Sequence, residues 1–356
     1  MSLVARQLTL RHNGEVFLED ISFTAKPGIT VLVGPTLSGK TTLMRVLAGL
    51  IKPDSGSITV NGNDVGKTSV KDRSVSFVYQ QFINYPSLSV YDNIASPLRV
   101  HQPKISKEEM ADRVTEVAKM LRITELLDRK PSALSGGQQQ RVAIARSLAR
   151  KSDVVLLDEP LANLDFKLRE QLRDELQRIF SDASMMVIYS TAEPLEALDM
   201  ASHTIVMHEG RVQQDGLALE MYSTPKNIPV AQAMSDPPLN LISSNLASKG
   251  SQSLGSALKD RFNGSFTVGI RPHNIALKSQ KSNDIAISGK VRIAENTGSS
   301  TFLHLDLEDS QKLVLELDGS QRFEVGSAIT VYLDHSAVFG FDTESGNTLF
   351  SPSAVR

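Results

Sequence analysis

The sequence predicts an α/β domain built on a parallel sheet, interrupted by a helical subdomain and followed by a small all-β barrel. Three observations carry this expectation. In the N-terminal part, short apolar strands alternate with amphipathic helices, the pattern of a parallel sheet covered on both faces. A glycine-rich loop, Gly34-Pro35-Thr36-Leu37-Ser38-Gly39-Lys40-Thr41-Thr42, stands directly between one such strand and one such helix. In the C-terminal part the pattern switches to alternation of apolar and polar residues, the mark of half-buried antiparallel strands.

Thr30-Val31-Leu32-Val33 is read as a buried strand, and Leu43, Val46 and Leu47 give the helix after the loop its apolar character. A helix-rich insertion covers about residues 82–150. Within it, Ser106 with Glu109 predicts a capping box, and Met110, Val114, Val117 and Leu121 then share one helical face. Val154-Val155-Leu156-Leu157 and Met185 to Tyr189 are two further buried strands, separated by a helix striped with Leu168, Leu172, Leu176 and Ile179. These elements make a first domain over residues 1–234. Ser235-Asp236-Pro237-Pro238 and the Ser/Asn/Gly-rich stretch to residue 256 read as a linker. Residues 257–356 form the barrel, with Leu303, Leu305 and Leu307, then Leu313, Leu315 and Leu317, then Ile329, Val331 and Leu333 facing inward. Turns such as Asp318-Gly319-Ser320 separate them.

The 356 residues give room for two domains. Lys and Arg total 38 against 40 Asp and Glu, a net charge of −2, so the balance points neither to nucleic acid nor to an anionic membrane surface. The C-terminal segment lacks a basic stripe with interleaved aromatics, so no nucleic acid is expected there either. The absence of cysteine excludes a disulfide framework or a thiolate metal site and accords with a reducing cytosol. No apolar run reaches the roughly 18 residues of a membrane span, and the first residues lack a basic-then-apolar leader. Work at a membrane would need partners to hold the chain there.

The strand–loop–helix context makes Gly34 to Thr42 a phosphate cradle. Backbone N–H groups around Leu37 to Lys40 and the helix N-terminus can face phosphate oxygens. Lys40 adds a point charge for the β- and γ-phosphates, and the Thr41 hydroxyl is a Mg²⁺ ligand. Leu156-Leu157-Asp158-Glu159 ends a buried strand in two carboxylates, at the sheet edge where α/β sites lie. Asp158 is suited to hold Mg²⁺ through water, and Glu159 to polarise an attacking water as general base. Ser135, Gly136, Gly137 and Gln138 open a third candidate element, a helix start with bare N–H groups and a hydroxyl.

The full run Leu134-Ser-Gly-Gly-Gln-Gln-Gln-Arg-Val-Ala-Ile-Ala-Arg146 is far more specific than a helix start. With it, the chain resembles the ATPase subunit of an ATP-binding cassette importer, of the sugar and polyol group (maltose, glycerol-3-phosphate or glycerol type). The resemblance implies a P-loop NTPase cassette with a helical subdomain, followed by a transport-associated OB (TOBE) barrel, and ATP and Mg²⁺ as cofactors. Gln80, after Phe77-Val-Tyr, matches the family glutamine that touches Mg²⁺ and relays to a membrane subunit. Tyr85 to Asn93 resembles the stretch after it, and Pro160 to Asp165 resembles the D-loop. Arg271-Pro272 and Phe341-Asp342 resemble landmarks of the OB domain. An aromatic near the start is implied to stack on adenine: His12 is the first candidate, with Asn13 and Phe17 as alternatives.

In that family two cassettes pack head to tail, each ATP lying between one subunit's phosphate loop and the other's signature serine and glycines. The implied partners are two membrane-spanning permease subunits, a second cassette ATPase and, indirectly, a solute-binding protein. The implied place is the cytoplasmic face of the inner membrane. Two positions depart from the pattern. Ala192 stands where the family has a histidine after its last core strand, and Ala162 where a D-loop serine is usual. A methyl group donates no hydrogen bond, and losing such a donor costs roughly 10²–10³ in rate. The departure favours a hetero-pair with a histidine-bearing cassette over a homodimer. The alternative is a regulatory nucleotide-binding subunit with negligible turnover.

Overall fold

The computed structural model describes residues 1–81, 83–100, 104–162, 164–181, 185–245, 247, 266–281 and 284–352. Parts of the expected helical insertion, of the linker and of the start of the barrel domain (82, 101–103, 246 and 248–265) lie outside the described residues. The chain divides into two compact units, Met1–Ala218 and Leu219–Arg356. That division falls before residue 234, where the sequence reading ended the first domain.

The first unit holds two sheets. Strands β1 (Leu3–His12), β2 (Glu15–Ala25), β4 (Ser55–Val60) and β5 (Asn63–Asp64) form an antiparallel sheet in the order β2-β1-β4-β5. Strands β3 (Gly28–Val33), β6 (Val75–Val78), β7 (Val154–Asp158), β8 (Met186–Thr191), β9 (His203–His208) and β10 (Arg211–Gly216) form the second, ordered β10-β9-β3-β8-β7-β6. Strands β9, β3, β8, β7 and β6 run parallel, as the alternation of strands and helices requires. Helix α1 (Lys40–Ala48) packs Leu43, Met44, Val46 and Leu47 into one core shared by both sheets. The antiparallel sheet was not anticipated. Its β1–β2 hairpin turns at Asn13 (φ 51°) and Gly14 (φ 83°), the left-handed pair that a tight hairpin demands.

Between β6 and β7 stand α2 (Val90–Arg99), α3 (Lys107–Met120) and α4 (Gly136–Ala149). Ser106 caps α3 by accepting the Glu109 N–H at 3.0 Å. The reciprocal half of the expected capping box is not made: Glu109 turns its carboxylate to Arg113, one helical turn on. Val114, Val117 and Leu121 are buried as their spacing predicts. Helix α5 (Phe166–Ser181) buries Leu172, Leu176 and Phe180, and α6 (Pro194–Met200) follows β8. Among the described residues no helix is long and apolar enough to cross a membrane.

All of α7 (Ala218–Ser223) but its first residue belongs to the second unit, which continues with α8 (Ile228–Ala233) and strands β11 (Asn240–Ser243), β12 (Phe266–Ile270), β13 (Ile275–Ala276), β14 (Ile285–Asn296), β15 (Ser300–Asp306), β16 (Lys312–Asp318), β17 (Ala328–Leu333), β18 (Phe339–Asp342) and β19 (Thr348–Phe350). They pair as β11-β12-β18-β19 and β13-β17-β14-β15-β16, two antiparallel sheets around one apolar core. The alternating leucines point inward as predicted: Leu303, Leu305, Leu313 and Leu315 are fully buried. Strand β11 lies in the stretch read as linker. Its Asn240 side chain accepts the Val314 N–H and donates to the Val314 carbonyl, both at 2.7 Å, so it joins β11 to β16 across the open side of a near-closed barrel. Asn240→Ala would leave both Val314 groups unpaired and is expected to lower barrel stability by about 2 kcal/mol. Urea unfolding followed by circular dichroism measures this, and an unchanged midpoint would show that the barrel closes without that side chain.

Candidate functional site

Four neighbouring parallel strands deliver the site to one edge of the sheet. The phosphate loop follows β3, Gln80 lies just beyond β6, Asp158 and Glu159 end β7, and Ala192 follows β8. The register sets Val33 opposite Thr191 and Asp158 opposite Ser190. β8 therefore stands between the strand carrying the loop and the strand carrying the carboxylates.

The loop is held tightly against its own domain. A Cβ at Gly34 would run into the Met207 carbonyl oxygen, so only glycine lets the loop leave β3 there. Gly39, at φ 101°, is the left-handed cap of α1. The Gly210 N–H donates to the Ser38 carbonyl at 3.0 Å. Pro35, Thr36 and Leu37 are exposed at the rim, and Thr41 and Thr42 are half-buried on the first turn of α1. Among the described residues the buried Ser38 hydroxyl has no hydrogen-bond partner, so a ligand oxygen could take its proton.

Lys40 is only 3% exposed and donates to the carbonyls of Gly34 (2.7 Å) and Pro35 (3.0 Å). Its ammonium lies 3.4 Å from the Glu159 carboxylate. Burial pulls its pKa below the ordinary lysine range, and the neighbouring Glu159 and Asp158 oppose that shift. Asp158 Oδ1 accepts two hydroxyls, from Thr41 (2.9 Å) and Ser190 (2.8 Å). Gln80 Nε2 donates to Glu159 Oε2 at 3.0 Å. The Thr41 hydroxyl, the Gln80 amide oxygen and the Asp158 carboxylate are hard oxygen donors, a set whose chemistry fits Mg²⁺. The structure brings Gln80, Lys40, Thr41, Asp158 and Glu159 into one bonded cluster.

Sequence reasoning missed Ser190. The only cue was a polar residue at the end of an apolar strand run. It also missed the backbone of Phe17, whose carbonyl oxygen would sit 3.2 Å from a Cβ at Gly39 and 2.5 Å from one at Gly210. Phe17 is therefore the aromatic whose backbone flanks the phosphate loop. His12 is exposed beside it, edge-on at 6.5 Å between ring centroids. Asn13 is a hairpin residue.

Ser135 and Gln138 form a complete capping box on α4: Gln138 Oε1 accepts the Ser135 N–H at 3.0 Å, and Ser135 Oγ accepts the Gln138 N–H at 3.4 Å. Ser135 and Gly136 are exposed. Gly137 is buried, where a side chain would collide with Leu168 of α5. Among the described residues the side-chain hydrogen bonds of Ser135 and Gln138 stay within this turn.

Ala192 is exposed at the bend after β8. Below it, Tyr189 donates to Glu196 at 2.9 Å in a buried pair. Burial pushes both groups upward in pKa, Tyr189 strongly. Glu193 is committed to Arg169 at 3.1 Å. Neither acidic neighbour takes the place of a donor at 192.

The ABC transporter family model matches residues 18–162, and the TOBE domain model matches residues 268–341. The chain is 34% identical to the xylose/arabinose import ATP-binding protein XacK of Haloferax volcanii, over 94% of this chain and 90% of that one. It is 36% identical to the oligosaccharides import ATP-binding protein MsmX of Bacillus subtilis, over 88% and 90%. It is 35% identical to an sn-glycerol-3-phosphate import ATP-binding protein, UgpC 3, of Agrobacterium fabrum, over 85% and 86%. Among solved structures, a dimeric post-hydrolysis state of the ATP-binding cassette MJ0796 bound to ADP and Pi matches with a TM-score of 0.54 at 27% identity, covering 61% of this chain and 98% of that one. A strand–loop–helix cradle, paired carboxylates on the next strand but one and a capped serine-glycine turn make the same statement as these likenesses: the chain belongs to the ATP-binding cassette family, as an importer-type ATPase carrying a C-terminal TOBE domain.

Proposed function

We propose that this chain is the ATP-hydrolysing subunit of an importer for sugars or polyols, glycerol and its phosphate included, and that it works beside a second, histidine-bearing cassette. The cargo class follows the printed substrates of the relatives, because an ATPase subunit does not itself meet the cargo. Mg²⁺ would be held by Thr41, Gln80 and Asp158. Phosphate oxygens would meet Lys40 and the N–H groups of residues 37–40. Glu159 would polarise the attacking water, and Gln80, bonded to Glu159, would report the state of the site outward. His12 or Phe17 would stack on adenine.

Two cassettes, head to tail, would each lend the other its Ser135–Gln138 turn. The single observation behind the hetero-pair is Ala192, a methyl group at the strand end between the phosphate loop and the carboxylates. This chain's own site would be slow, while its capped serine-glycine turn would complete a fast site on the partner. The same observation sustains the second reading, a regulatory subunit with negligible turnover, and the intact Glu159 weighs against it.

Two permease subunits would hold the chain at the cytoplasmic face of the inner membrane, with a solute-binding protein acting on them from outside. Their docking place would be a cavity of about 540 Å³ lined by Leu50, Val70, Tyr79, Tyr85, Val100 and Arg146. It lies between the sheet edge after β6 and helices α2 and α4, one residue from Gln80.

The purified chain should turn over ATP slowly, and Ala192→His should raise the rate by roughly 10² if the donor is what is lacking. Brisk hydrolysis by the chain alone, abolished by Glu159→Gln, would sink the asymmetric reading. Val100 is 78% exposed on the cavity rim. Val100→Asp should weaken co-purification of the permease subunits without changing ATP affinity; retention of those subunits at the parental level would place the docking surface elsewhere.

A further inference from the structure

Ser190 is fully buried at the penultimate position of β8, and its hydroxyl is used twice. It donates to Asp158 Oδ1 at 2.8 Å and accepts the backbone N–H of Glu159 at 3.0 Å. A hydroxyl this deep in an apolar sheet is tolerated only with its partners in place. On its other side, Asp158 Oδ1 takes the Thr41 hydroxyl at 2.9 Å, so the carboxylate is pinned from two directions. Donation uses the Thr41 proton and leaves that oxygen's lone pairs for a cation. Glu159 sits at φ 43°, a left-handed conformation that a non-glycine residue keeps only when its surroundings impose it. Its N–H is shared between the Ser190 carbonyl, at 3.2 Å, and the Ser190 hydroxyl. One side chain therefore holds both the Asp158 carboxylate and the Glu159 backbone, from the strand that Ala192 follows.

We propose that Ser190 is a positioning residue: it fixes the cation-holding face of Asp158 and the backbone of Glu159, and so sustains the turnover of a site that has no donor at 192. This rests on reading the site as a Mg²⁺–ATP half-site. No proton or electron moves through Ser190; its role is to keep the Asp158 carboxylate and the Glu159 backbone in place for the cation and the water.

Ser190→Thr and Ser190→Val share one shape and differ by the hydroxyl, so their comparison in the full-length chain isolates the claim. The probe is Mn²⁺ with ATP, free metal being counted by electron paramagnetic resonance. The Val variant is expected to bind Mn²⁺–ATP about tenfold more weakly than the Thr variant, the usual consequence of loosening a ligand's support. ATP in EDTA should bind both equally. At saturating metal, kcat should fall in the Val variant alone, with half-saturation by ATP unchanged. Ser190→Ala, smaller and free of any packing clash, should reproduce the Val result against the parent. Equal Mn²⁺–ATP affinity with and without the hydroxyl overturns the proposal, whatever the turnover. Turnover in the parent that ignores Glu159→Gln would instead overturn the catalytic reading of the site, and the metal-binding comparison would still decide the role of Ser190.

Discussion

The parallel register of β3, β8, β7 and β6 is the constraint from which the site follows. Strand β7 is buried on both faces, so its register matters most at its end: slipping it by a single residue would exchange the positions of Leu157, Asp158 and Glu159. The apolar run Val154–Leu157 thus does more than fill a core. It decides that a carboxylate, and not a leucine, meets Thr41 and Ser190. Four chain segments with no sequence proximity then share one edge, because parallel strands end together.

On that edge the phosphate loop stores an unbalanced charge in a specific way. Lys40 is buried, and burial disfavours its ammonium; loop carbonyls and Glu159 compensate only in part, as the lowered pKa records. A polyanion offers such an ammonium stronger, charge-assisted bonds than neutral carbonyls do. Binding of phosphate oxygens would release Glu159 from Lys40 while Gln80 still holds its other oxygen. On the proposed reading, loading the loop and freeing Glu159 would be one event, and the amide bonded to Glu159 follows Tyr79, which lines the exposed cavity.

Much of this was legible in the sequence, and what was not has physical reasons. The phosphate loop, the carboxylate pair and the Ser135 turn were readable because glycine and paired charges are demanded at fixed places by backbone geometry, as the Met207 oxygen facing Gly34 shows. The N-terminal antiparallel sheet escaped because β1 is interrupted by bulges between Ala5 and Leu8 and between Leu8 and Leu10, which break the period of two. Strand β11 escaped because it joins the barrel through the amide of Asn240, so its polarity imitated a linker. The role of Ser190 needed knowledge that β7 and β8 are neighbours, a tertiary fact absent from local pattern. Glu109 was misread in detail since an arginine one turn away competed for it.

The two halves of the nucleotide seam differ in how much they depend on residue 192. The serine-glycine turn is stabilised within α4, by its own capping box and by the contact of Gly137 with Leu168. Nothing in that arrangement draws on β8. The half that carries Lys40, Asp158 and Glu159, in contrast, is strung across β3, β7 and β8, the strand that Ala192 follows. On the proposed reading, alanine at 192 would slow what the chain does for its own ATP and leave intact what it would lend to a partner. In a symmetric pair both sites would inherit the defect. In the proposed asymmetric pair one site would keep a donor at that position, which is the physical reason the proposal favours two different cassettes over two copies of this one.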